Sequence, residues 1–189
     1  MAYSALLDAN VLHPIIVCDL LLRFAEKGFF RPPWSREILD ETTRSVARRF
    51  PHVSREALDR RVAAMESAFP DALVTGHEPL TRTLPFEDDA HVVAAAIVGG
   101  ADVIVTNNLR HFPVPALAPY RLSAQSADDF LVHQWWLDPA TGARVLVEES
   151  AGTTRPHIPV PELLARLRSR LPGFVEVAEA SPDLTPGGP

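Results

Sequence analysis

The sequence predicts an α/β protein with a central parallel sheet, followed by a small helical appendage. Three observations carry this. The apolar runs Ala5-Leu6-Leu7 and Val103-Ile104-Val105 each end in oxygen-bearing residues, as buried strands do where they enter loops. Helix-period segments lie between them, and strands alternating with helices imply parallel pairing through right-handed crossovers. Beyond residue 126 no strand pattern appears.

Ala5-Leu6-Leu7 reads as a buried strand ending in Asp8-Ala9-Asn10. Pro14 suits the first turn of a helix carrying Ile15, Leu20, Leu21, Leu22 and Phe24, with Gly28 as its stop. Ser35 can cap a second helix running to Arg49, where Ile38, Thr42 and Val46 recur on one face, and Pro51 ends it. Residues 54–68 predict a charged helix with an apolar edge at Leu58, Val62 and Met65. Leu73-Val74 is a short strand candidate. From Asp88 to Val98 the chain is almost wholly apolar, the signature of a buried helix, and Gly99-Gly100 stops it. Tyr120-Arg121-Leu122 is expected as the last strand. In the appendage, helices are expected from Ser126 to Trp136, after Asp138-Pro139, and from Pro161 to Leu171. The Pro/Gly-rich end reads as a disordered tail. The expected division is a domain at 1–125, a helical extension at 126–180 and a tail at 181–189.

A chain of 189 residues with 47% hydrophobic and 22% charged residues lies in the globular range and can bury a sizeable core. Its net charge of −6 advertises no overall positive field for nucleic acid. All the basic residues except Lys27 are Arg, whose planar fork suits carboxylate or phosphate. A single cysteine excludes an internal disulfide framework and a Cys-based zinc cluster, and Cys18 in its apolar surroundings reads as a buried, inert thiol. The N-terminus lacks the basic region of a signal peptide, and no apolar run approaches the ~18 residues of a membrane span. A soluble, cytoplasmic protein is expected.

Open α/β sheets bind ligands beyond the carboxyl ends of their strands. Asp8 and Asn10 follow the first strand here, and Asn107 and Asn108 follow Val105. Glu37 and Glu41 share one helical face, while Asp88 and Asp89 open the buried helix. A parallel sheet can bring Asp8, Glu41, Asp89 and Asn108 to one edge, and such hard oxygen ligands suit Mg²⁺ or Mn²⁺ rather than zinc. Each residue also has an ordinary structural reading. Asp8 and Asp89 can be helix caps, Glu41 part of a solvated face, and Asn107-Asn108 a turn. Arg44, Arg48, Arg49, Arg55, Arg60 and Arg61 concentrate in one basic stretch, and Arg110 and His111 form a second small group; both are candidates for phosphate contact or for a solubilising surface. His91 reads as a helix-packing residue. Trp34, Trp135 and Trp136 read as core or interface residues before base-stacking ones.

Four segments in order carry a resemblance: Leu6-Leu7-Asp8-Ala9-Asn10-Val11-Leu12, Trp34-Ser35-Arg36-Glu37-Ile38-Leu39-Asp40-Glu41, Asp88-Asp89-Ala90-His91-Val92-Val93-Ala94-Ala95-Ala96, and Gly100 through Val105-Thr106-Asn107-Asn108 to Pro113. Together they resemble the successive signatures of PIN-domain proteins, over residues 3–125. The helical remainder is similar to the C-terminal extension of some VapC-type PIN toxins.

The resemblance implies a three-layer α/β/α domain and an endoribonuclease dependent on Mg²⁺ or Mn²⁺, commonly the toxin of a toxin–antitoxin pair. RNA is then the substrate and a small protein antitoxin the partner, with a homodimer left open and no membrane involved. By position, the catalytic set is Asp8, Glu41, Asp89 and Asn108, with Asp8, Asp89 and Glu41 as metal ligands. Glu41 can act directly, through water, or as a base. Asn10, Arg44, Arg48, Arg49, Arg110 and His111 are the substrate-binding candidates. Asn108 offers an amide near the place of a fourth acid, and His111 stands where the family commonly has Asp; both departures reduce negative charge. A PIN-like module that binds RNA or protein without cutting is the alternative. A haloacid-dehalogenase-type phosphatase ranks last, because Asn10 stands where that chemistry wants a second acid.

Overall fold

The computed structural model describes residues 3–153 and 157–184. In chain order the elements are β1 (Ala5–Leu7), α1 (Ala9–Leu12), α2 (Ile15–Glu26), β2 (Trp34–Ser35), α3 (Arg36–Arg49), α4 (Arg55–Ala68), β3 (Leu73–Val74) and α5 (Glu78–Thr81). A 3-10 turn at Glu87–Asp89 leads into α6 (Ala90–Val98) and then β4 (Val103–Val105), α7 (Val114–Leu117) and β5 (Ser123–Gln125). The last helices are α8 (Ala127–Leu137), α9 (Pro139–Gly152), α10 (Val160–Leu167) and α11 (Pro172–Glu179). The chain divides into two compact units, Met1–Pro14 with Phe30–Ser126 and Ile15–Phe29 with Ala127–Pro189.

The first unit is mixed α/β with a parallel sheet. β4 lies between β1 and β5, and Ala5, Leu6 and Leu7 pair with Val103, Ile104 and Val105. β2 pairs in parallel with β3, and a bridge between Ser4 and Arg31 links the approach to β2 with the start of β1. All three residues of β1 and of β4 are fully buried, as is the run from Val92 to Ala96 on α6. Ser35 does cap α3, its Oγ accepting from the Ile38 N–H at 3.2 Å, and Ser54 caps α4 in the same way. Ile38, Thr42 and Val46 form the buried stripe.

Two expectations on this unit change. The last strand is Ser123–Gln125 and not Tyr120–Leu122. Ala118–Tyr120 forms a 3-10 turn, and Arg121 sits at φ +57°, a left-handed conformation that interrupts an extended run. β2, which the sequence reading lacks, has only two residues after Pro32-Pro33, too few to show a period.

Among the described residues every regular element of the second unit is a helix or a 3-10 turn, and the unit includes α2. The sequence division at residue 125 places this helix with the sheet domain. In the structure its apolar face, with Phe24 at the centre, instead joins the C-terminal helices. The Phe24 and Phe174 rings meet edge to face at 6.0 Å, and Trp135 meets Phe174 likewise at 5.7 Å. Arg23 bonds to the largely buried Glu149, whose carboxyl is raised above its ordinary range, chiefly by desolvation. The helix expected from Pro161 to Leu171 ends at Leu167, and Pro172, which cannot sit inside a helix without losing a hydrogen bond, opens α11. Of the expected tail, Pro182–Leu184 forms a 3-10 turn, while 185–189 lie outside the described residues.

Gly142 on α9 faces the indole of Trp135, and a Cβ there would meet Cε3 at 2.7 Å. Gly to Ala inside a helix ordinarily gains about 1 kcal/mol. Here the buried ring is also packed edge to face against Phe174, so Gly142→Ala is expected to destabilise by about 1–3 kcal/mol, the usual cost of overpacking. The midpoint of guanidinium unfolding checks this. A higher midpoint would mean that the indole shifts freely.

Candidate active site

Parallel register builds the centre of the site. The Asp8 N–H donates to Val105 O at 3.1 Å and the Thr106 N–H to Gln125 O at 2.9 Å, so Asp8 and Thr106 leave neighbouring strands side by side. Thr106 is completely buried. Its Oγ1 donates to Asp8 Oδ2 at 2.7 Å and accepts from Asn10 Nδ2 at 2.8 Å and from the Asn108 N–H at 3.1 Å. One donor and two acceptor positions exhaust a hydroxyl, so Thr106 is fully used. Asn10 also donates to Asp8 Oδ2, and its Oδ1 accepts the Asn107 N–H at 2.9 Å. Sequence reasoning missed Thr106. The signal was its place directly after Val105, but the role of its hydroxyl depends on strand register.

Asp8 is 5% exposed, and its carboxyl is raised above the ordinary Asp range. Desolvation is the largest cause; the Thr106 bond and the Ala9 amide oppose it, and the charges of Asp89 and Glu41 add to it. Those two carboxylates share one polar cavity of about 330 Å³ with Asp8, Asn10, His13, Arg44, Ser45, Arg48 and Asn108. The structure therefore brings Asp8, Asn10, Glu41, Arg44, Arg48, Asp89 and Asn108 together. Glu37 stays exposed in the first turn of α3. Arg49 is exposed in its last turn and does not line the cavity.

Neither aspartate serves as a side-chain cap. Asp8 precedes α1 and Asp89 precedes α6, yet neither makes the side-chain hydrogen bond that caps a helix. Asp89 Oδ2 instead lies 2.7 Å from His111 Nδ1, and Arg110 Nε donates to His111 Nε2 at 3.1 Å. Arg110 and His111 border a second cavity of about 330 Å³, which Asp89 also lines. His91 is buried, with Nδ1 3.0 Å from Asp88 O and Nε2 3.4 Å from Glu41 Oε2, without hydrogen-bond geometry at the latter. Other arginines of the basic stretch are engaged within the chain: Arg55 with Asp59, and Arg61 with Leu12 O at 2.6 Å. Trp34 and Trp135 are core residues, and Trp136 is exposed.

Among the described residues, no three His, Cys, Asp or Glu side chains contract into a ready ligand cage. The donor set still fits a hard cation. Mg²⁺ dehydrates reluctantly and is usually held by one or two carboxylates with several of its own waters, which suits spaced oxygens around a polar cavity.

A family model described as PIN domain matches residues 4–110, and one described as VapC50 C-terminal domain matches residues 127–180. Over 91 residues the chain is 44% identical to "Putative ribonuclease VapC50" of Mycobacterium tuberculosis (strain ATCC 25618 / H37Rv). That alignment covers 48% of this chain and 53% of the relative, about half of each. No solved structure matches. With the parallel sheet, the carboxylates at its edge and a model match over more than half of its length, the chain belongs to the PIN-domain family.

Proposed function

We propose that the protein is a Mg²⁺- or Mn²⁺-dependent endoribonuclease and the toxin of a toxin–antitoxin pair, held in check by a small protein antitoxin. The observation that carries this is Asp8: a buried carboxylate, fixed by Thr106 and Asn10, facing two further carboxylates across a polar cavity. Three such groups do not cheaply stay charged together without a cation. Asp8, Asp89 and Glu41 would hold the ion, which when bound supplies a Lewis acid and a water of lowered pKa.

The chain's own residues do the rest. Thr106 and Asn10 lock the Asp8 carboxylate in place before any ligand arrives, so little reorganisation is left for the reaction. Asn108 offers an amide at the cavity wall for water or substrate. Arg44 and Arg48 bring positive charge to the rim, where a phosphodiester would approach a negative centre. Arg49 extends the same helix outward, and Arg110 borders the neighbouring cavity. No helix among the described residues is long and apolar enough to cross a membrane, and we place the protein in the cytoplasm with its RNA.

The test is cleavage of a labelled RNA by the full chain with Mg²⁺, with Mn²⁺ and with chelator. Metal-dependent cutting supports the proposal. RNA binding that persists under chelation, with no cutting under any metal, would identify a non-catalytic PIN module. A further expectation concerns the rim. Arg44→Gln with Arg48→Gln should flatten the salt dependence of RNA binding by about 0.7 of a log–log unit for each lost contact on single strands. Mn²⁺ binding should survive. An unchanged slope would return both residues to the solvated surface.

A further inference from the structure

We infer that His111 is a positioning residue: its Nδ1–H holds the Asp89 carboxylate at the cavity, and Arg110 fixes the imidazole for that task. The inference rests on reading Asp8, Glu41 and Asp89 as the metal-binding set. It replaces a direct role for His111 on RNA, because both ring nitrogens are already engaged within the protein.

The argument is one of donors and acceptors. An arginine Nε carries a hydrogen and offers no lone pair, so in its 3.1 Å contact with His111 Nε2 the ring nitrogen accepts. Nε2 is therefore bare, and the ring hydrogen sits on Nδ1. Nδ1 lies 2.7 Å from Asp89 Oδ2, and an ionised carboxylate only accepts. Both contacts select the same neutral tautomer. Asp89 needs such a partner. It makes no side-chain bond to the helix it precedes, and it borders both the Asp8 cavity and the neighbouring one. An aspartate without a fixed partner samples several rotamers, and ordering it on metal uptake costs affinity. Removing an outer partner of a metal ligand typically weakens binding 10- to 100-fold.

Asparagine can present its side-chain N–H where the imidazole presents Nδ1–H, whereas glutamine and alanine cannot. Mn²⁺ binding to the full chain, measured by calorimetry at fixed pH, is expected to weaken roughly 10-fold or more in His111→Ala and His111→Gln. His111→Asn should restore it to within a few-fold of wild type. In metal-free, ¹⁵N-histidine-labelled protein, the resonances missing from His111→Asn should report the Nδ1–H tautomer, and Arg110→Ala should shift them towards a mixture. Wild type that binds Mn²⁺ no better than His111→Ala, or a wild-type His111 in the Nε2–H tautomer, would overturn the positioning role alone. A wild type that takes up no Mn²⁺ would overturn the metal reading and the role built on it together.

Discussion

Asp8→Asn should reduce RNA cleavage on the order of 10²–10³-fold, the scale on which removing one electrostatic stabiliser of a transition state acts. It should also abolish any growth arrest from expressing the wild type alone, at equal soluble protein. The fold should survive, because an amide oxygen in the same place still accepts from Thr106 Oγ1 and Asn10 Nδ2. Metal-free stability separates this outcome from simple damage. The native Asp8 carboxyl is raised above the ordinary value near ~3.9, so between that value and its raised one the native state holds a proton that the unfolded chain has lost. The stability this contributes is complete below the ordinary value and is lost as pH rises through the raised one. Wild type should therefore lose stability relative to Asp8→Asn across that window and run parallel to it above. Added Mn²⁺ should reverse the order at neutral pH, since it binds the native wild type and has lost a ligand in the variant. Thermal unfolding at several pH values, with and without Mn²⁺, measures all of this. Equal Mn²⁺ shifts in both proteins would remove Asp8 from the metal site.

The parts of the fold legible in the sequence are those decided locally. Ser35 and Ser54 announce their helices because capping needs only the next three residues, and the apolar run at 90–98 needs no partner to be read as buried. β2 and β5 were illegible for opposite reasons. Trp34–Ser35 is too short to show alternation, and Ser123–Gln125 is polar and partly exposed, without the apolar pattern that announces a strand. The assignment of α2 to the C-terminal helices depends on Phe24 meeting Phe174, residues far apart in the chain. At the site, Asp8 and Asp89 stood in cap positions, and only the structure distinguishes a carboxylate that caps from one that turns into a cavity. The Arg stretch was ambiguous in the same way. Arg44 and Arg48 line the cavity, while Arg55 and Arg61 are engaged within the chain.

Thr106→Val should be the most damaging change of a residue that touches neither metal nor RNA. The shape is conserved, but the hydroxyl serves three partners at once. Its bond to Asp8 is directed at a group that must ionise, and hydrogen bonds to charged groups contribute about 1.5–3 kcal/mol. Asn10 and the Asn108 amide lose an acceptor as well, although the exposed Asn108 backbone can turn to water. A loss of about 2–4 kcal/mol is expected in denaturant unfolding. Function should respond separately from stability. The Thr106 bond lowers the Asp8 carboxyl against the opposing effect of burial, so its removal moves that group further up. A metal that needs the ionised carboxylate then binds only at higher pH, and the pH dependence of Mn²⁺ binding should move in the alkaline direction. Thr106→Ser supplies the control. It keeps the hydroxyl, gives up one methyl at a cost of about 1 kcal/mol, and should leave that pH dependence in place. If the serine and valine variants bind Mn²⁺ with the same pH dependence, Thr106 serves the fold and not the carboxylate beside it.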